Sequence, residues 1–343
     1  MRETEIEVRD VRVADAIDVA APDKAPTSGR HGDGAAVQGK VGFVGLGRMG
    51  SVMAANLAVN GHKVTAYVRR EKQIGPLLGL GLNTTMDIAD VFDSEVVITM
   101  LPDDDAVSEI VAGRRDDHAD GLACGMRPGA IHLSMSTIST GTATRLAGEH
   151  ARHGQGYVAS PVFGNPDAAN ARELFIIAAG NAHDIDRCKP LLDALGQQVF
   201  RVGSDPSAAN LVKLAGNAMS AATLEILGEV LALGRKRGLD PRQLLAILTG
   251  TMFGSRVHKI YGGKIADQQY GWGGFIFPLA LKDVRLALNE AERAGVPMPS
   301  VSVVRDRLIT GIARGYSQRD WSALGLLAAE EAGLGVEGSQ ADA

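Results

Sequence analysis

Residues 41–57 read VGFVGLGRMGSVMAANL, and three glycines, Gly45, Gly47 and Gly50, stand between an apolar β-type run and a helical stretch. A tight turn alone needs one of them. In a chain with 42 glycines the G-x-G-x-x-G spacing is weak by itself, but it directly follows a strand pattern and opens a helix, and that context gives each glycine a task. Gly45 turns, Gly47 lets backbone approach a pyrophosphate, and Gly50 lets helix and strand pack closely. The free N–H groups and positive dipole of the helix N-terminus then face the phosphates. The turn Gly45-Leu46-Gly47-Arg48-Met49-Gly50 is therefore an expected dinucleotide site.

From Lys40 onward short apolar runs alternate with helical windows, the pattern of parallel βαβ units. The expected strands are 41–45, 63–68, 95–100, 130–134, 155–160, 174–180 and 198–203. After Gly203 the β signal stops. Asp205 and Pro206 form an N-cap and N1 pair and the next break is Gly238, which predicts one helix of roughly 30 residues, ~45 Å long. It is small and apolar nearly all round, so it is expected to be buried, in an all-α domain or between subunits. Further helices are expected after Asp240-Pro241, around Pro278 to Gly295, and from Pro299 to about Gly315. The fold class is α/β: a Rossmann dinucleotide-binding domain, 39–203, followed by an all-α domain with a long central helix, 204–330. Residues 1–38 read as a disordered extension and 331–343 as a flexible tail, both too polar and glycine-rich for a core element.

An Asp or Glu at the tip of the second strand would hold a ribose hydroxyl and favour NAD. The tip instead carries Arg69 and Arg70, which suit a 2′-phosphate through charge-assisted bonds. NADP(H) is the preferred cofactor, with NAD(H) the alternative. Leu101 and Pro102 end a sheet strand at the edge where open α/β sheets bind ligands, and Ala106 in the helix that follows joins the expected cofactor contacts.

A net charge of −5 with no basic stripe argues against nucleic acid. Two cysteines without metal-ligand spacing suggest neither a disulfide framework nor a metal site. No apolar run approaches the ~20 residues of a membrane span. Glu3, Glu5, Glu7 and Asp10 argue against a secretory or mitochondrial leader, which leaves the cytoplasm as the expected compartment. The histidines, among them His132, His153 and His258, show no ligand spacing and read as surface or satisfied core residues.

Five ordered stretches resemble the β-hydroxyacid dehydrogenases, the family of 3-hydroxyisobutyrate dehydrogenase and the glyoxylate/succinic semialdehyde reductases. They are FVGLGRMGSVMAANL, MSTIS (135–139), SPVFGNPDAA (160–169), NLVKLAGN (210–217) and LKDVRLAL (281–288). The resemblance implies reversible hydride transfer between a nicotinamide and a short hydroxyacid or its aldehyde, in a homodimer or homotetramer with the long helix at the subunit contact. Lys213 is the implied general acid/base, with Asn217 fixing it from the same helix face. Ser136, Phe163, Gly164, Asn165 and Asp283 are the implied substrate contacts, and Thr137 and Lys282 complete the cofactor set. A lysine on so apolar a helix is costly to bury unless it is used or paired. Two positions depart from the family pattern: Phe163 and Asn165 stand where serine and glycine are usual, so a hydroxyl that would hold a substrate carboxylate is replaced by an aromatic ring. A bulkier or less polar carbonyl compound is expected, with Asn165 and the backbone amides at Gly164 as the alternative holders of a carboxylate. An imine reductase on the same scaffold, in which Asp or Tyr typically replaces the lysine, and a non-catalytic NADP-binding interaction protein remain as alternatives.

Overall fold

The computed structural model describes residues 39–114, 119–272 and 274–335. The expected extension, 1–38, and residues 336–343 of the expected tail lie outside the described residues. Strand β1 (Lys40–Val44) leads through the glycine turn into α1 (Gly50–Val59), then β2 (Lys63–Tyr67), β3 (Asn83–Thr85) and β4 (Val96–Thr99). Helix α2 (Asp104–Ala112), β5 (Ile131–Ser134), α3 (Thr140–Arg152), β6 (Gly156–Ala159), β7 (Leu174–Gly180), α4 (Ala182–Leu195) and β8 (Gly196–Arg201) complete the sheet half. The order across the sheet is β8-β7-β6-β5-β4-β1-β2-β3, and the two-residue strand Val162–Phe163 pairs with β7 off this path. Neighbours run parallel except β6 with β7 and β7 with Val162–Phe163.

Every residue of β4 and β5 is buried, as in the centre of a sheet covered on both faces, including the polar Thr99, His132 and Ser134. The strand order reverses between β1 and β4. That places the glycine turn beside Met100, Leu101 and Pro102 at the crevice where such sheets bind ligands.

All seven expected strands form. The extra strand β3 has only three residues, none of them buried, so its sequence carries no apolar run to announce it. The long helix α5 (Pro206–Lys236) has 31 residues and is capped by Asp205, whose carboxylate accepts from Ser207 N at 2.9 Å. Helices α6 (Pro241–Gly250), α7 (Arg256–Ala266), α8 (Phe277–Arg293), α9 (Pro299–Ala313) and α10 (Leu324–Glu331) pack around it. Glu331, the first residue of the expected tail, closes α10 and pairs with Arg307 at 2.6 Å.

The long helix is buried on one side only. Ala209 belongs to the core against the sheet, and Leu214, Ala218, Ala221 and Leu224 to the core among the helices. On its outer side Val212, Met219, Ile226 and Leu233 recur every seven residues and are exposed, Met219 by 73% and Leu233 by 64%. A seven-residue period keeps them in one stripe.

His132 is a satisfied core residue. Thr99 Oγ1 lies 2.9 Å from its Nε2, its Nδ1 lies 2.8 Å from His150 Nε2, and His150 Nδ1 lies 2.6 Å from Gln155 Oε1. Because an amide oxygen can only accept, the chain runs one way, from the threonine hydroxyl to the glutamine. Burial holds both imidazoles neutral.

Candidate active site

The three glycines do separate jobs. Gly45 has φ +100°, and a Cβ on it would stand 2.3 Å from Met100 O. Gly50 lies so close under the turn that a Cβ would reach within 2.0 Å of Gly45 O and 3.1 Å of Phe43 Cε1. A Cβ on Gly47 would meet nothing within 4 Å. The first and third glycines are fixed by the protein's own atoms, while the second faces open space, as a backbone must that admits a ligand. Helix α1 carries no side-chain cap and no acid in its first turn, so the positive end of its dipole remains for an anion. These residues fit a dinucleotide pyrophosphate.

The turn opens onto a cleft of about 1810 Å³ between the sheet edge and the helical half. Gly47, Arg48, Met49, Gly50, Leu101, Pro102 and Thr137 line it on the sheet side, and Phe163, Gly164, Asn165, Lys213, Asn217, Lys282 and Asp283 further in. Lys213 Nζ donates to Asn217 Oδ1 at 2.9 Å, and Asn217 Nδ2 donates to Asp283 Oδ2. The amide is thus oriented by a buried carboxylate, and it in turn orients the ammonium. Lys282 Nζ donates to Thr137 O at 2.5 Å and lies 2.8 Å from Asp283 Oδ1, an ion-pair distance without hydrogen-bond alignment. Burial, the largest influence, lowers the Lys213 pKa to about 8, with Asp283 opposing and Lys282 reinforcing the shift. A group poised there can give or take a proton near neutral pH.

The Phe163 ring centroid lies 4.5 Å from Lys213 Nζ. Gly216 makes room for that ring, since a Cβ at Gly216 would stand 2.4 Å from Phe163 Cζ.

Several expected contacts are differently employed. Ser136 is fully buried: its hydroxyl accepts from Leu101 N at 2.8 Å and points at Thr99 O, so it shapes the Leu101-Pro102 turn and does not line the cleft. Asn165 spends its amide oxygen on the N–H of Ala168 at 2.9 Å, capping the short helix Pro166–Asn170. Asp283 is engaged by Asn217 and Lys282. The Ala106 N–H is taken by Asp103 Oδ1 at 2.8 Å, the helix cap, and the Leu46 side chain packs against the core. Arg48 Nη1 donates across the cleft to Gly274 O at 3.1 Å. Arg69 and Arg70 lie outside the cleft, exposed at the tip of β2 with no ion-pair partner among the described residues. The far wall, Tyr261, Phe275 and Trp321, was not expected, because these residues come from three separate segments that only the helix packing collects.

Two family models cover the chain: the NAD binding domain of 6-phosphogluconate dehydrogenase at residues 40–203, and the NAD-binding domain of NADP-dependent 3-hydroxyisobutyrate dehydrogenase at residues 207–327. The chain belongs to the β-hydroxyacid dehydrogenase family. The uncharacterized oxidoreductase YfjR of Bacillus subtilis is 39% identical over 83% of the chain and 98% of its own length. The 2-hydroxy-3-oxopropionate reductase of Escherichia coli is 31% identical over 83% of the chain and 95% of its length. Among solved structures, a Mycobacterium tuberculosis 3-hydroxyisobutyrate dehydrogenase superposes with a TM-score of 0.75 at 24% identity, covering 84% of the chain and 98% of that structure. Like its family, the chain is an NAD(P)-dependent oxidoreductase acting on CH–OH groups.

Proposed function

We propose that the chain is an NADP(H)-preferring enzyme that interconverts a short semialdehyde, hydroxyacid or related carbonyl compound with its redox partner, using Lys213 as general acid and base. One observation carries this reading: a buried lysine with its pKa lowered to about 8 faces the cleft, held by the Asn217–Asp283 line and fronted by the glycine turn. A bound nicotinamide supplies the hydride in reduction and accepts it in oxidation. Lys213 Nζ gives its proton to the carbonyl oxygen as charge develops there, and in the other direction the neutral amine takes the hydroxyl proton. Asn217 holds the nitrogen in place through both states, and Phe163 and Gly164 bound the substrate.

Reduction needs the ammonium and slows as pH rises through about 8, whereas oxidation needs the free amine and speeds up over the same window. Initial rates in both directions from about pH 6 to about pH 10 measure this, and flat profiles both ways would remove Lys213 from proton transfer.

Arg69 and Arg70, exposed at the tip of β2 and without an ion-pair partner among the described residues, support the preference for NADP(H). The double variant Arg69→Ser/Arg70→Ser is expected to raise the Kd for NADPH by about tenfold or more, the worth of one or two charge-assisted bonds, and to leave NADH little changed. Equal losses for both cofactors in fluorescence titration would refute the assignment.

The exposed stripe Val212, Met219, Ile226 and Leu233 supports a homodimer or homotetramer. Ile226→Glu should shift the mass measured by light scattering toward the monomer; an unchanged mass would place the subunit contact elsewhere. Among the described residues no helix is long and apolar enough to cross a membrane. Free Cys124 and Cys188 favour a reducing compartment, the cytoplasm.

A further inference from the structure

We propose, resting on the reaction assigned above, that the group attached to the substrate's carbonyl carbon is uncharged and apolar, aliphatic or aromatic, and that Phe163 sets this preference.

The side chains expected to receive the substrate carboxylate, those at positions 163, 165 and 136, do not offer themselves to one. Position 163 offers a ring and no hydroxyl. The Asn165 amide oxygen caps a helix, and its Nδ2 faces the Asp167 carboxylate at 3.4 Å. Ser136 is turned away into the backbone of Thr99 and Leu101.

The cations of the cleft are spent as well. Arg201 lies 2.6 Å from Asp186, Arg256 2.9 Å from Glu173, Lys264 3.3 Å from Asp320 and Lys282 2.8 Å from Asp283. Arg48 is bonded to Gly274 O and sits in the glycine turn, where dinucleotide phosphates would claim it. Among the lysines and arginines that line the cleft only Lys213 is left, and the carbonyl oxygen needs it. A carboxylate placed here would also approach Asp167 and Glu173, which line the same cleft. An anion stripped of water without a partner is strongly disfavoured.

What the cleft does offer is apolar surface. In a chain only 4% aromatic, Phe163, Phe175, Phe200, Tyr261, Phe275 and Trp321 all line this one cavity. Phe163 has the central place, its ring over the Lys213 ammonium and its edge filling the space that Gly216 leaves. An alkyl or aryl group laid against this wall leaves water favourably, and the ring faces continue to stabilise the ammonium.

The test compares matched substrates. With NADPH, wild-type enzyme is assayed on hexanal and phenylacetaldehyde against succinic semialdehyde and glyoxylate, and the uncharged pair should lead by about 100-fold or more in kcat/KM. Phe163→Ser should cut that ratio at least about tenfold while Phe163→Leu keeps it, because serine returns a hydroxyl and removes the apolar wall. Independently of turnover, tryptophan fluorescence, which Trp321 reports from the cleft, should saturate with hexanol and not with 4-hydroxybutyrate. If Phe163→Ser does not fold, the wild-type ratio and this titration decide. A carboxylate substrate equal to or better than the uncharged pair, or a ratio unmoved in Phe163→Ser, overturns the inference and leaves the reaction class standing. Saturation by hexanol with no turnover of any carbonyl supports the apolar site and overturns the reaction class. Neither binding nor turnover overturns both.

Discussion

Lys213→Ala lowers turnover in both directions by about 10²- to 10⁴-fold, the usual worth of a positioned general acid or base, and leaves NADPH binding and the melting temperature close to wild type. The lysine is buried yet makes one hydrogen bond, to Asn217. Its removal leaves the Asp283–Lys282 pair intact and puts a strong helix former in its place. Lys213→Arg sharpens the test. A guanidinium stays protonated throughout the working range, so oxidation should remain as slow as in the alanine variant even where geometry is tolerated. Single-turnover rates with titrated NADPH separate chemistry from binding. A Lys213→Ala enzyme with near-wild-type turnover would end the assignment of the proton-transfer role.

The second large effect separates two glycines three residues apart. Gly50→Ala forces a methyl to within 2.0 Å of Gly45 O, so α1 must shift off the sheet, at about 1–3 kcal/mol or more. Both the melting temperature and dinucleotide affinity should fall. Gly47→Ala meets nothing within 4 Å, so the melting temperature should hold while dinucleotide binding weakens by about tenfold or more, because the new methyl stands where the pyrophosphate comes closest. Thermal melts and NADPH titrations of the two variants test this together. Equal melting temperatures in the two variants would refute the division of labour.

The glycine turn was legible because its meaning is local: a strand, a turn and a helix contiguous in sequence. The same holds for the long helix, whose Asp205-Pro206 start and Gly238 end are written at its own termini. Lys213 and Asn217 could be paired from helical spacing, and Lys282 was expected near them. The tasks of the Ser136 hydroxyl and the Asn165 amide were not legible, because a polar residue in a loop reads the same whether it serves a ligand or the backbone. Only the fold shows that Leu101 N and Ala168 N claim them first. Strand β3 was invisible because an exposed edge of three residues needs no apolar pattern, and α7 because Ser255 opens it without the proline that marked its neighbours. The aromatic wall was least legible of all, since residues as distant as Phe163 and Trp321 meet only through tertiary packing.

The long helix passes from one core to the other within a few residues of the lysine. Ala209 is sealed among the sheet residues, Asn210 accepts from Ile138 N at 3.3 Å, and Leu214 already belongs to the helical core. Lys213 therefore stands where the helix leaves the core against the sheet and enters the helical core, while Tyr261, Phe275 and Trp321 come from segments later in the chain. Proton donor and dinucleotide site meet on this stretch of helix with Phe163 of the sheet side beside them, and Tyr261, Phe275 and Trp321 face them from the helical half. Such an arrangement lets selection redraw the far wall, one aromatic at a time, without disturbing the distance over which the chemistry is done.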